Sequence, residues 1–235
     1  MSWTSAYELD GVSVGTTELS VISGTTSLQT NTTKGVYQLW IDPVAAGMAK
    51  GDEFKIRIYD KVEETGGTKR VIFVATLSDA QAEPWVFPPL PLGFGWDMTI
   101  QKIAGTDRSW DAEIRKLGTW TQHAELDGVS ISTTEISLIS GTSSLSTDTT
   151  KGFYWVLVDP IGAAMAQADE FRLRLYEKVE ATGGTKRQFF DLRLQDVQAE
   201  QLVTQGFMLG NGWDATLIKI GGTDRNFDAS IRKAA

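Results

Sequence analysis

Residues 8–13, Glu-Leu-Asp-Gly-Val-Ser, return unchanged at 125–130, and the same offset of 117 positions carries the first half of the chain onto the second. It takes Asp42-Pro43 to Asp159-Pro160, Gly66-Gly67-Thr68-Lys69-Arg70 to Gly183-Gly184-Thr185-Lys186-Arg187, and Gly105-Thr106-Asp107-Arg108 to Gly222-Thr223-Asp224-Arg225. No insertion or deletion is needed, and about 67 of the 117 aligned positions are identical. A period this long exceeds the roughly 20–50 residues of a solenoid or propeller unit, so each copy must close a core of its own. Two domains of ordinary size follow, 1–117 and 118–235, meeting at Gly118-Thr119-Trp120-Thr121 with almost no linker.

Within each copy the hydrophobic pattern is that of strands. Residues 54–62 (Phe-Lys-Ile-Arg-Ile-Tyr-Asp-Lys-Val) alternate apolar and polar, the period of a sheet with one buried face. A second strand, 70–77, follows across Gly66-Gly67, and glycine accepts the positive φ that a tight hairpin demands. A further hairpin is expected from 96–103 and 110–117, turning at Gly105-Thr106-Asp107-Arg108, with strands at 36–41 and 18–22. Asp42-Pro43 before Ala45, Ala46, Met48 and Ala49 suggests one short helical turn with Asp as N-cap and Pro at N1. The fold class is therefore all-β: two similar small antiparallel β-sandwich or barrel domains in tandem, each with one short helical turn.

Composition excludes several chemistries. The formal charge is −8, and each half holds 11 basic and 15 acidic residues, which argues against nucleic acid or an anionic membrane as partner. Without cysteine there is no disulfide framework, thiolate metal site or thiol nucleophile. No segment approaches 18 consecutive apolar residues, and the first residues lack the basic start and apolar core of a signal peptide. The lone histidine, His123, has Ala6 as its counterpart and cannot build a zinc site or a supported general base alone. Asp97, Asp107 and Asp111, with Asp214, Asp224 and Asp228, bracket the last hairpin of each copy, where carboxylates could serve hydrolysis or hold calcium. Their spacing fits no calcium loop, and Asp107 capping its turn and pairing with Arg108 is the simpler reading. No enzyme, no cofactor and no metal are expected.

Since the copies must fold alike, their differences point to what each touches. Residues 84–94 read Pro-Trp-Val-Phe-Pro-Pro-Leu-Pro-Leu-Gly-Phe in the first copy and 201–211 read Gln-Leu-Val-Thr-Gln-Gly-Phe-Met-Leu-Gly-Asn in the second. Prolines fix φ and reduce the entropy lost on docking, and large apolar side chains supply contact area. A lid over its own sandwich and a partner surface both satisfy the pattern. The partner reading names Trp85, Val86, Phe87, Pro88, Pro89, Leu90 and Phe94, with Leu202, Phe207 and Met208 in the second copy. After the Gly-Gly turn, Phe73, Ala75 and Leu77 look core-facing, which leaves Ile72, Val74 and Thr76 on the other face. Phe189, Asp191 and Arg193 replace them in the second copy, so Ile72 and Val74 join the candidate contact surface.

The pattern Gly-Trp-Asp-x-Thr-x-x-Lys-Ile-x-Gly-Thr-Asp-Arg-x-x-Asp-x-x-Ile-Arg-Lys at 95–116, with the opening Glu-Leu-Asp-Gly-Val-Ser and the Tyr-x-Lys-Val hairpin running into Gly-Gly-Thr-Lys-Arg, resembles small β-rich virion structural proteins of tailed bacteriophages. The resemblance covers nearly all of each copy, and the tandem form departs from it. It implies a non-enzymatic decoration (cement) protein that is made in the host cytoplasm, works in the virion and stabilises the capsid surface. Its partners would be the major capsid protein or other virion proteins. It would also form a homo-oligomer, a trimer having pseudo-six-fold character. A tail or baseplate ring component is the alternative. A carbohydrate-binding or adhesin module is another, with Trp40, Trp85 and Trp110 as stacking candidates.

Overall fold

The computed structural model describes residues 3–180 and 182–235. Its first nine strands are β1 (Thr4–Val14), β2 (Leu19–Ser20), β3 (Gly35–Ile41), β4 (Glu53–Asp60), β5 (Arg70–Ser78), β6 (Trp85–Val86), β7 (Leu90–Leu92), β8 (Asp97–Ala104) and β9 (Arg108–Gly118). The next nine repeat them: β10 (Trp120–Ile131), β11 (Ile136–Ser137), β12 (Gly152–Val158), β13 (Glu170–Glu177), β14 (Arg187–Gln195), β15 (Leu202–Val203), β16 (Phe207–Leu209), β17 (Asp214–Gly221) and β18 (Arg225–Ala234). The strands build a five-stranded sheet β1-β9-β3-β6, with β7 also on β3, and a four-stranded sheet β2-β8-β4-β5. The second set has the same orders, β10-β18-β12-β15 with β16 on β12, and β11-β17-β13-β14. The protein is all-β, two antiparallel sandwiches of one design. Among the described residues no helix is long and apolar enough to cross a membrane.

The alternation in 54–60 acts as expected. Phe54, Ile56 and Ile58 are fully buried, and in register they face Leu77, Ala75 and Phe73 of β5. Phe54 meets Trp110 of the opposite sheet edge-to-face at 4.9 Å, and Phe171 meets Phe227 likewise at 4.8 Å. These cross-sheet aromatic pairs fill the middle of each sandwich. The helical turn after Asp42 is a single hydrogen-bonded turn, in which Ala46 N–H donates to the Asp42 carbonyl. The Asp42 carboxylate accepts from the N–H groups of Val44 and Ala45 and so caps it.

The Gly-Thr-Asp-Arg motif does not turn a hairpin as expected: β8 and β9 lie in different sheets, so it is an arch that crosses the sandwich, held by a partner that lies far off in sequence. Arg108 pairs with Asp52, not with Asp107, at 2.7–2.8 Å. Asp107 instead pairs with Lys102. The buried Asp52 carboxylate also accepts from Thr106 N–H at 2.9 Å and Ala49 N–H at 2.9 Å. Gly105 is required here twice over: its φ is +86°, and a Cβ would sit 2.1 Å from Asp52 Oδ1. Asp169, Thr223, Ala166, Arg225 and Gly222 repeat the arrangement.

The compact units are not the two sequence halves. One comprises 1–61 and 69–120, the other 62–68 and 121–235. Trp120 thus belongs to the first unit, where it is buried, donates to the Leu92 carbonyl at 2.7 Å and packs edge-to-face on Phe94 at 5.1 Å.

The backbone N–H groups of Thr106 and Ala49, with Arg108, hold the Asp52 carboxyl below the usual carboxylate range against the opposing pull of burial. A depressed folded pKa adds stability that is present above the unfolded value and is lost as pH falls through the folded one. Asp52→Asn should therefore lower unfolding free energy by about 2–3 kcal/mol at neutral pH, with the deficit shrinking in acid. Denaturant titrations at several pH values measure this.

Candidate interaction site

The proline-rich segment is pinned to its own sandwich by some of its apolar residues and presents the others. Phe87 is buried, donates its N–H to the Leu39 carbonyl and meets Phe73 edge-to-face at 5.6 Å. Leu90 and Phe94 are buried as well. Asp60 fixes the end of the segment by accepting from the N–H groups of Gly93 and Phe94. Phe87, Leu90 and Phe94 are therefore core contacts, not partner contacts, because their side chains fill the gap beside β3 and β5. Trp85 (38% exposed), Val86 (44%), Pro88 and Pro89 stay outside. In the second copy Leu202 and Phe207 are half-buried against the core and Met208 is 75% exposed.

On β5 the expected face is interrupted. The register shifts between Ile58 and Tyr59, so β5 carries an extra residue at Ile72. Such a bulge breaks the two-residue alternation, and Ile72 is buried at 3% exposure and so is not a surface residue. Phe189 at the same bulge of β14 is 49% exposed, so the bulge alone does not bury Ile72. Val74, opposite Arg57, is half-buried and Thr76 exposed. Phe189, Asp191 and Arg193, the second-copy counterparts, are all exposed.

The titratable residues singled out in the sequence do not assemble into one site. Asp97 is fully buried and serves structure, accepting from the Ser20 hydroxyl at 2.8 Å and Gln29 N–H at 2.7 Å. Burial, outweighing those bonds, raises its pKa and pushes that of Asp214 to about 6. Asp111 accepts from Gly11 N–H at 2.8 Å and so pins a bulge in β1. His123 lies 2.7 Å from Asp148 and packs on Tyr154 and Trp213. Trp110 is fully buried, and the guanidinium of Arg115 stacks on both Trp40 (3.9 Å to the centroid) and Trp3 (4.2 Å). Trp110 therefore offers no face to a sugar, and Arg115 stacks on the Trp40 ring.

A different feature emerges, one the sequence reading missed. The first unit has a groove of about 440 Å³ lined by Glu8, Asp10, Trp40, Pro84, Asp111 and Glu113, with Leu9, Ile41, Asp42 and Ala112 completing it. The equivalent positions in the second copy carry Glu125, Asp127, Leu157, Gln201, Asp228 and Ser230. Leu157, Gln201 and Ser230 are buried there, whereas Pro84 is exposed and Trp40 and Glu113 are half-buried. The second unit also contains residues 62–68, the tip of the β4–β5 hairpin. In that unit Val62 and Glu63 are buried, and the carboxylates of Glu63, Asp127 and Asp228 lie within 4.8 Å of one another. Burial, then a hydrogen bond to Asp228 and the charges of Asp228, Asp127 and Glu125, push the Glu63 carboxyl from 4.5 to about 8. The crowding therefore favours one proton shared within the Glu63–Asp228 pair.

No family model matches the chain, and no curated protein matches it. Solved structures with some likeness include "PBSX exported protein XepA", with 9% identity and TM-score 0.30 over 98% of this chain and 87% of that one. "STIV MCP" follows with 10% identity and TM-score 0.31 over 99% and 95%. The tandem CBM22-1-CBM22-2 domain of Paenibacillus barcinonensis Xyn10C has 9% identity and TM-score 0.26 over 93% and 82%. Likeness at this level between β-rich chains transfers neither ancestry nor activity.

The raised pKa of Glu63 has a testable sign. Its stabilising effect is fully present below 4.5 and is lost as pH rises to about 8. Glu63→Gln keeps the hydrogen bond to Asp228 without the ionisation. Thermal unfolding across this range should show the variant matching the parent in acid and exceeding it above pH 8.

Proposed function

We propose that the chain is a non-enzymatic structural protein of a bacteriophage virion that binds the capsid surface and stabilises it. The observation that carries this reading is the segment from Pro84 to Pro89, whose Phe87 is sunk in the core while Trp85, Val86, Pro88 and Pro89 face outward. A rigid, proline-locked strip with exposed aromatic and β-branched side chains suits docking, because little entropy remains to be lost. In the corresponding stretch of the second copy Leu202 and Val203 are half-buried and Thr204 is buried, and the exposed apolar residue is Met208 further along, so the two copies offer unequal surfaces. Two fused domains also order fewer independent chains on a lattice than two separate ones. The resemblance of the 95–116 pattern to decoration proteins agrees with this reading.

Purified protein mixed with capsids, and separately with tails, of the virus that encodes it is the direct test. Saturable binding to capsids is expected, weakened at least about tenfold in a Trp85→Ala, Val86→Ser double variant. Unchanged binding would overturn the surface assignment. Binding to tails alone would move the protein to a tail ring, and binding to neither would reject the virion reading.

A further inference from the structure

The chain carries two hairpin tips and two acceptor surfaces of matching design, and only one tip is seated. Residues 61–70 and 178–187 differ solely at Glu64, which becomes Ala181. In the second unit the tip with Val62 and Glu63 lies against Asp127 and Asp228, and Val62 is 2% exposed. The corresponding tip of the second copy is bare: Val179 is 90% exposed and Glu180 is exposed. The surface corresponding to Asp127 and Asp228 is the open groove around Asp10 and Asp111. One chain thus presents a plug without a socket and a socket without a plug.

We propose that the protein assembles head to tail, the 178–187 hairpin tip of one chain seating in the Glu8–Asp10–Asp111 groove of a second copy. The occupant is specified by the chain itself, since nearly the same peptide already fills the equivalent surface of the second unit. The side chains that differ between the two sockets fit this occupant. The open groove has Glu113 where the filled one has Ser230, and the tip that would enter it has Ala181 in place of Glu64. The number of carboxylates brought together is therefore unchanged. Glu180 would face Asp111, Asp10 and Glu8, as Glu63 faces Asp228, Asp127 and Glu125, with Asp42 and Glu113 also lining the groove. A contact joining two different surfaces is heterologous, so repetition yields a ring where the rotation closes and a filament where it does not. This inference does not rest on the capsid reading.

The test uses the full chain alone in solution. By sedimentation velocity or native mass spectrometry, micromolar protein at pH 6 should show concentration-dependent oligomers. Val179→Asp adds a carboxylate at an exposed position, leaves the fold intact by circular dichroism, and should weaken association more than about tenfold. Trp40→Glu with Pro84→Glu blocks the groove and should do the same. Mixing the tip variant with the groove variant leaves one good tip and one good groove, so a one-to-one dimer and nothing larger is expected. A parent chain that stays monomeric at every concentration, oligomers that survive Val179→Asp, or a mixture that forms no dimer would each overturn the proposal. Because no capsid is present, these outcomes are independent of the capsid-binding assay.

Discussion

A buried carboxylate at the start of β4 ties together stretches of chain that are more than fifty residues apart. Asp52 accepts two backbone N–H groups, from Ala49 in its own loop and Thr106 in the β8–β9 turn, and binds the guanidinium of Arg108. A charge this deep in a small domain is tolerable only when it is paired and hydrogen-bonded, and here both carboxylate oxygens have partners. The clamp sets where the chain turns from β8 in one sheet to β9 in the other, and how β4 enters its sheet. β8 and β9 in turn are the central strands on which β1, β2, β3 and β4 pair. Its repetition at Asp169 and Arg225 explains why Gly-Thr-Asp-Arg recurs so faithfully: the motif is an architectural lock.

On this common frame the copies diverge in what they show to their surroundings. The first copy carries a proline-locked strip with its anchors inside and Trp85, Val86, Pro88 and Pro89 outside. The second carries a bare hairpin tip with Val179 outermost, and the first unit holds the open groove that matches it. Crowding of carboxylates around Glu63 couples the seated tip to protonation, since three like charges cannot share that space without one of them keeping its proton.

Strands with clean alternation, such as residues 54–60, were legible because each side chain faces the side its period predicts. β1 was not, because shifts between Ser5 and Tyr7 and between Leu9 and Val12 break its period, and Gly11 at φ +59° accommodates the second of them. A bulge likewise interrupts the alternation at Ile72, which is buried although strict alternation placed it outside, while Phe189 at the same bulge of the second copy is exposed. In the proline-rich stretch, residue type alone could not separate anchors from exposed contacts: Phe87 and Trp85 are both large aromatics, and only the partner at Phe73 decides which one is buried.

The amino-acid sequence by itself determined the duplication, the all-β class, the acidic balance and the β4–β5 hairpin with its glycine turn, because these depend on local periodicity and on identity at a fixed offset, whereas the turn at Gly105 proved to be an arch between the two sheets. Only the tertiary structure decided that Arg108 belongs to Asp52, that Phe87, Leu90 and Phe94 are internal, and that residues 62–68 belong to the second unit. Each of these rests on contacts between residues distant in the chain, whose pairing is set by packing and by the need to satisfy buried charge. Two nearly identical tips, Val62-Glu63 and Val179-Glu180, ended in opposite environments, one buried and one open. Identical sequence cannot specify that difference; what each tip meets in the folded chain does.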